Sequence, residues 1–256
     1  MQIALTIAGS DSGGGAGIQA DLRTFQRFGV FGTSVVTAIT AQNTLGVTAV
    51  HVVPAAIVRA QLAALASDLP AAACKTGMLA SAELVRIVAD ALDPAIPYVC
   101  DPVMVATSGD RLLDLEAERV ILERLIPRAA VVTPNLDEAA ILAGFEVRDP
   151  ASMKQAGRTL LELGATAALI KGGHLRDVVL VDLLVTRDGI RRFEHPRIDS
   201  RSTHGTGCTL SAAITAGLAI GQPLEAAVTT ALEYVHRAIA SAPGLGAGHG
   251  PVNHGA

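Results

Sequence analysis

The sequence predicts a single-domain α/β fold with a central, mainly parallel β-sheet flanked by helices on both faces. Its 256 residues suit one large domain. Half of the residues are hydrophobic but only 3% are aromatic, so small aliphatic side chains must fill the core, as in sheets that are buried on both sides. Strand-like apolar runs also alternate with helix-period segments, which favours parallel strands joined by right-handed crossovers.

The predicted elements follow this alternation along the chain. Residues 3–8 form an apolar run typical of a buried strand, and Ile18, Leu22 and Phe25 then recur at helical spacing. Further strands are predicted at 32–40, 73–76, 98–101, 130–133 and 167–171, with helices between them. Residues 178–186 and 190–195 flank Asp188-Gly189, which predicts a β-hairpin. A last apolar helical face carries Val228, Leu232, Val235 and Ile239.

Composition limits the function classes that are open to this chain. The domain is predicted to span 1–243, and residues 244–256, which are rich in glycine and histidine, are expected to form a flexible tail. No apolar run approaches the roughly 18–20 residues that cross a bilayer, and Met1–Leu5 has no basic leader. A net charge of −4 with mixed signs argues against binding to nucleic acid or membrane. Three widely spaced cysteines indicate a reducing, cytoplasmic location without disulfides or a zinc site.

The first candidate site is the glycine-rich run at residues 9–17, directly after the first strand. Such a run lets the backbone approach a ligand closely, and the following helix offers free N–H groups. Gly15, Gly17 and Ala20 also match a dinucleotide-binding pattern. That pattern requires an acidic residue after the second strand, where this sequence has Gln42-Asn43. The sequence therefore favours a ligand-binding loop over a nicotinamide site, with a simply flexible loop as the remaining alternative.

The second candidate site is the turn at Gly205-Thr206-Gly207-Cys208, which leads into a predicted helix. Its free amides and the positive end of the helix dipole favour an anion. A cysteine in the first turn of a helix commonly has a lowered pKa, so Cys208 is a candidate base or nucleophile. The alternative is a small buried hydrophobic side chain, which is the interpretation preferred for Cys74 and Cys100.

The third group is polar and follows several predicted strands. Asp101, Asn135, Glu138 and Lys171 should meet at the carboxyl edge of the sheet, where ligands bind in open α/β folds. Carboxylates and a lysine in that place suit Mg²⁺ and phosphate. Asn135 is equally well explained as a helix cap. The chain has no G-x-x-x-x-G-K-[ST] loop, which argues against a P-loop nucleotide binder.

These residues together resemble the hydroxymethylpyrimidine/phosphomethylpyrimidine kinase family of thiamine biosynthesis. The resemblance covers nearly the whole chain, and its motifs stand in one order that is highly specific. They are Ala8 to Asp11, Gly14 to Asp21, Thr37 to Asn43, Lys75 to Leu79, Asp101 to Met104, Thr133 to Ala139, Lys171 to His174 and His204 to Thr209. Ser12-Gly13 departs from the Pro-Ser that the family often has there.

The resemblance implies a ribokinase-like fold and two phosphoryl transfers from ATP with Mg²⁺. The first acceptor is 4-amino-5-hydroxymethyl-2-methylpyrimidine, and the second is its monophosphate. Pyridoxal or pyridoxine kinase activity is the alternative, because some proteins with these motifs phosphorylate vitamin B6 compounds. A non-catalytic ligand-binding module is a further alternative, which the retained Cys208 and Lys171 disfavour. The implied partners are these small molecules, with a homodimer left open.

The resemblance also implies roles for individual residues. Cys208 takes the place of the aspartate base of most ribokinase relatives, next to the anion-binding turn Gly205-Thr206-Gly207. A left-handed backbone is expected at Gly207 of that turn. The pyrimidine pocket is assigned to Gly9, Asp21, Gln42 and Met78. The nucleotide is assigned to Asn135, Lys171 and Asp101, and the metal to Glu138.

Overall fold

A computed structural model describes residues 1–104, 115–173 and 179–256, and within these ranges nine strands form one sheet. The order across the sheet is β3-β2-β1-β4-β5-β6-β7-β8-β9. All pairs from β2 to β7 are parallel, whereas β3, β8 and β9 pair antiparallel with their neighbours. The strands are β1 Ile3–Asp11, β2 Phe31–Asn43, β3 Gly46–Val52, β4 Ala73–Thr76, β5 Tyr98–Cys100, β6 Val131–Val132, β7 Ala167–Ile170, β8 Val179–Thr186 and β9 Ile190–Pro196.

Helices connect the parallel strands, and their ends carry recognisable capping residues. The helices are α1 Gly17–Arg27, α2 Ala55–Asp68, α3 Ala82–Ala91, α4 Leu115–Arg124, α5 Leu136–Ala143, α6 Pro150–Glu162, α7 Thr206–Ala219 and α8 Leu224–Ala240, with a 3₁₀ turn at Ile126–Arg128. Ser81 caps α3 by accepting a hydrogen bond from the Leu84 amide, and Asp149 caps α6 in the same way. Gly144 ends α5 in a left-handed conformation, which glycine adopts without steric cost.

Alternate residues of the central strands pack into two different cores. In β7, Ala168 and Ile170 join the core that contains α3 to α6, whereas Ala167 and Leu169 join the core that contains α7 and α8. Because successive side chains of a strand point to opposite faces, the sheet is covered by helices on both sides. The α/β fold class predicted from the sequence is confirmed.

The second hairpin of the sheet was predicted, but the first was missed. β8 and β9 pair around Asp188-Gly189 as expected. Val178, at the start of the predicted hairpin, lies outside the described residues, and so does His174 of the Lys171 to His174 motif. β3 was not predicted, and it folds back on β2 through a turn at Thr44-Leu45. It lies at the edge of the sheet, and most of its side chains are exposed, so it has no apolar run long enough to mark a buried strand.

The segment 244–256 packs against the rest of the chain. The His249 amide donates to the Thr44 carbonyl at 2.8 Å, and the Asn253 amide donates to the Ala238 carbonyl at 3.0 Å. The Val252 side chain is only 2% exposed. These contacts contrast with the loose tail that the composition predicted, because backbone pairing and a buried valine outweigh the flexibility of the glycines. In the described part of the chain, no helix has the length and apolarity needed to cross a membrane.

Candidate active site

Two glycine-rich turns interlock at the carboxyl edge of the sheet. Gly205 adopts φ 79° just before α7, and a Cβ atom there would collide with the Gly15 carbonyl oxygen. Gly17 adopts φ 56° at the start of α1, and a Cβ atom there would collide with the Gly9 carbonyl oxygen. Both positions therefore require glycine, since only glycine combines positive φ with so close an approach. The loop after β1 and the turn before α7 form one continuous surface.

The first turn of α7 presents backbone amides to this surface. Thr206, Gly207 and Cys208 occupy its first three positions, whose N–H groups have no acceptor within a helix. The Thr206 amide instead donates to the Thr203 carbonyl at 3.3 Å, which leaves the amides of Gly207 and Cys208 for a ligand. A methyl group added at Gly207 would lie 3.3 Å from Lys171 Nζ, so a positive charge lies next to this turn as well. The left-handed conformation predicted for Gly207 was wrong, because it occurs at Gly205, one residue before the helix starts.

Cys208 is partly exposed in this first turn, and the Gly17 amide donates a hydrogen bond to its sulfur. Burial raises the pKa of the thiol to about 12, with Asp21 and Asp101 adding to the effect and Lys75 opposing it. The direction of this pKa shift is therefore opposite to the one expected at a helix N-terminus. Loss of water around the sulfur, together with nearby carboxylates, outweighs the helix dipole.

Lys171 and Asp101 form a charged pair beside the turn. Lys171 Nζ lies 3.7 Å from Asp101 Oδ1, with side-chain exposures of 15% and 2%. The Ser211 hydroxyl donates to Asp101 Oδ2 at 3.0 Å and fixes the carboxylate. Burial lowers the pKa of Lys171, but attraction to Asp101 and Glu138 outweighs it, so the pKa is raised overall. Lys171 therefore carries a stable positive charge next to the free amides of α7.

Asn135 and Glu138 form a capping box at the start of α5, so the capping interpretation of Asn135 is confirmed. Asn135 Oδ1 accepts from the Glu138 amide, and Glu138 Oε2 accepts from the Asn135 amide, both at 2.9 Å. Glu138 is almost fully buried, and this burial raises its pKa, which Lys171 partly offsets. The cap thus holds a carboxylate close to the Lys171–Asp101 pair.

On the other side of the turn, Gly9 and Gln42 lie in the last residues of β1 and β2, and Met78 follows β4. A Cβ atom on Gly9 would lie 3.3 Å from Met78 Sδ. The Thr37 hydroxyl donates a hydrogen bond to the Met78 carbonyl oxygen at 2.6 Å. Gln42 is half-buried, and its amide nitrogen lies 3.2 Å from His204 Nε2, next to the turn. The structure therefore gathers these three predicted pocket residues around the interlocked turns.

Asp21 does not line this pocket, contrary to the prediction. Its side chain is fully buried, and its oxygens bind Lys75 Nζ at 2.8 Å and the Thr6 hydroxyl at 2.6 Å. Attraction to Asp21 outweighs burial and raises the pKa of Lys75, so the lysine is charged. The pair supports the floor of the site through Lys75, whose charge acts on Cys208. A lysine inside an otherwise buried strand was the sequence signal for this pair.

Two further residues of the site received no role from sequence reasoning. Asp11 ends β1, and His204 precedes the Gly205 turn; both are buried, and they contact each other at 2.8 Å. Both residues belong to the motifs that carry the family resemblance, but they lie 193 positions apart in the sequence. No local pattern indicates that they meet.

The turn before α7, the charged pair and the neighbouring pocket, on this sheet, define a kinase of the ribokinase-like class when taken with the relatives and solved structures that follow. Residues 11–253 match the phosphomethylpyrimidine kinase family, and the chain belongs to that family. A hydroxymethylpyrimidine/phosphomethylpyrimidine kinase of Rhizobium meliloti is 54% identical over 98% of this chain and 96% of its own. The family resemblance and the kinase activity predicted from the sequence are confirmed.

Solved structures agree with this assignment. The crystal structure of a phosphomethylpyrimidine kinase from Clostridium difficile is 41% identical, with a TM-score of 0.83 over 93% of this chain and 100% of its own. A Bacillus subtilis pyridoxal kinase in complex with ADP is 38% identical, with a TM-score of 0.93 over 99% of this chain and 97% of its own. The fold is thus shared with a phosphomethylpyrimidine kinase and with a pyridoxal kinase.

Proposed function

We propose that this chain phosphorylates the hydroxymethyl group of 4-amino-5-hydroxymethyl-2-methylpyrimidine with ATP and then phosphorylates the resulting monophosphate. One observation carries the proposal. The Gly205–Cys208 turn lies between the Lys171–Asp101 pair on one side and Gln42 on the other. A phosphoryl donor bound near Lys171 and an alcohol bound near Gln42 therefore meet at the free amides of α7.

The acceptor pocket suits an aminopyrimidine. The Gln42 carboxamide offers both a donor and an acceptor, which matches an amino group beside a ring nitrogen. The Met78 sulfur and side chain offer a polarizable surface for the ring face. Gly9 leaves room beside Met78 because it has no side chain.

The donor side suits the terminal phosphates of ATP. Phosphoryl transfer spreads negative charge over three oxygens, and the protein must meet it with N–H groups and positive charge. The amides of Gly207 and Cys208 and the ammonium of Lys171 supply both. The ADP complex of the Bacillus subtilis pyridoxal kinase supports nucleotide binding in this fold.

The residues present also fit Mg²⁺. This ion takes one or two carboxylates together with water and phosphate oxygens, and it needs no cage of protein ligands. Asp101 and Glu138 provide buried carboxylates on the same side as Lys171. When bound, the ion neutralises charge on the phosphates.

Glu138→Gln is expected to raise the Mg²⁺ concentration needed for half-maximal activity, by roughly ten-fold for the loss of one anionic partner. Glutamine preserves the capping box, because its oxygen can still accept from the Asn135 amide. A magnesium titration of the kinase rate measures the effect, and Glu162→Gln on the exposed end of α6 is the matched control. If Glu138→Gln titrates like the parent, Glu138 serves only as a cap.

Gln42→Leu is expected to weaken binding of the pyrimidine alcohol by about 1–3 kcal/mol, because one edge of the substrate is left unpaired. The effect appears as a raised KM for the alcohol, with the KM for ATP unchanged. Gln26→Leu, an exposed change on α1, is the control. An unchanged KM for the alcohol in Gln42→Leu would remove Gln42 from the pocket.

Pyridoxal kinase activity is the second candidate, because the Bacillus subtilis pyridoxal kinase superimposes on nearly the whole chain. Incubation with MgATP and each alcohol, with products identified by mass, decides between the two. The proposed function requires a monophosphate and then a diphosphate of the pyrimidine. A product from pyridoxal alone would overturn it.

A homodimer and a cytoplasmic location belong to the same proposal. Apolar side chains on β3 and on α2, which follows it, are close to half exposed, and they are Val50, Val52 and Ile57. Exposed apolar surface of this kind is typical of a protein interface. Light scattering measures the dimer, and Ile57→Glu should dissociate it. The three free cysteines favour a reducing compartment.

A further inference from the structure

The Asp11 carboxylate is surrounded by hydrogen-bond donors. Oδ1 accepts from the Gly13 amide at 2.8 Å, and Oδ2 accepts from the amides of Gly15 at 3.0 Å and Ala16 at 2.8 Å. Burial raises the pKa of Asp11, but these bonds and the contact with His204 outweigh it and lower the pKa overall. Asp11 is therefore ionised and acts only as an acceptor.

This carboxylate determines which atom of His204 carries a hydrogen. Nε2 of His204 lies 2.8 Å from Asp11 Oδ2. A bare nitrogen in that position would direct its lone pair at a carboxylate oxygen, which is repulsive. Nε2 must therefore be protonated and donate to Asp11.

The same atom also determines the orientation of the Gln42 carboxamide. As placed, Gln42 Nε2 lies 3.2 Å from His204 Nε2, so two donors face each other. At the other end, Gln42 Oε1 lies 3.2 Å from the Thr40 hydroxyl, which already donates to the Ser10 carbonyl at 3.0 Å. A 180° rotation of the carboxamide resolves both conflicts: its oxygen shares the single His204 Nε2–H with Asp11 in a three-centre hydrogen bond, and its nitrogen donates to Thr40.

We propose that Asp11 and His204 are positioning residues that hold the Gln42 carboxamide in this one orientation. The orientation leaves one N–H and one oxygen lone pair of Gln42 for the acceptor substrate. It thereby fixes on which side an amino group can donate and on which side a ring nitrogen can accept. The inference rests on the proposed function. It adds a physical reason why the acceptor pocket would bind an aminopyrimidine in preference to a hydroxypyridine such as pyridoxal.

The donor at position 204 can be removed or retained in matched variants. His204→Leu removes it, whereas His204→Gln places an amide N–H close to the former Nε2. We expect His204→Leu to raise the KM for the pyrimidine alcohol by about 5- to 150-fold, the range for one lost polar contact. The KM for ATP should stay within about twofold of the parent. Discrimination against pyridoxal should fall, and His204→Gln should restore most of it.

A double-mutant cycle separates positioning from a structural effect. If His204 acts through Gln42, His204→Leu adds little to the KM for the alcohol in a Gln42→Leu background. Additive effects, or equal losses for alcohol and ATP, would overturn the inference. If the parent itself does not phosphorylate the pyrimidine, the proposed function fails instead.

One measurement is independent of activity. The imidazole nitrogen NMR spectrum of the intact parent protein, assigned by comparison with His204→Gln, reports whether Nε2 carries a hydrogen. A protonated Nε2 coupled to the Asp11 carboxylate supports the inference. A bare Nε2 contradicts it, whatever the kinetics show.

Discussion

Cys208→Ala is expected to lower turnover by roughly 10²–10⁴-fold, the usual cost of losing a general base. The alcohol must lose its proton as it attacks, and Cys208 stands in the turn between the proposed nucleotide and alcohol sites. Steady-state kinetics with both acceptors measures the loss, and binding of ATP should be largely retained.

The pKa of Cys208 adds a pH dependence to this expectation. Only the thiolate accepts a proton, and burial raises the pKa of the thiol to about 12. The parent rate should therefore rise with pH through the alkaline range, and Cys208→Ala should lose this rise. Cys74→Ala, the same change in the buried core, is the control. Near-normal turnover of Cys208→Ala, or an unchanged alkaline rise, would exclude Cys208 as the base.

Lys171→Met should lower kcat by roughly 10²–10³-fold, the cost of removing one donor that stabilises transition-state charge. The ammonium lies beside the Gly207 position and is the positive partner of Asp101. Its removal also leaves a buried carboxylate without its counter-charge, so stability should fall as well. A coupled ATPase assay and thermal unfolding, run on the same samples, separate the two effects.

Two further lysine variants sharpen the test. Lys171→Arg keeps the charge, so it should recover stability more fully than turnover, because the guanidinium cannot reproduce a compact point charge. Lys154→Met, on the exposed face of α6, is the matched control and should behave like the parent. If Lys171→Met loses stability but keeps its turnover, the lysine only balances Asp101.

Most of the fold was predictable because buried strands leave a local signal. β4 was predicted with its observed bounds, and β7 differs by a single residue. β3 was missed because an exposed edge strand shows neither a continuous apolar run nor a clear alternation. Its backbone pairing with β2, rather than its side chains, makes it a strand.

The site was predictable where a role depends on the local chain, and not where it depends on distant residues. The Gly205–Cys208 turn was found from its glycines alone. The predicted direction of the Cys208 pKa shift was wrong, because the sequence reveals the helix N-terminus but not the burial of the thiol or the nearby Asp21 carboxylate. Asp21 was misplaced for the same reason, since its partner Lys75 lies 54 positions away.

The packing of residues 244–256 also determines when the site can form during folding. This segment reaches Thr44 across 204 positions, and Asp11 reaches His204 across 193. Contacts between such distant parts of a chain carry a large loop-closure cost and tend to form late. The sheet can therefore assemble before the two glycine turns lock together. In mild denaturant, kinase activity should disappear at a lower concentration than the far-UV signal of the sheet and helices, because the last-formed contacts are the first to open.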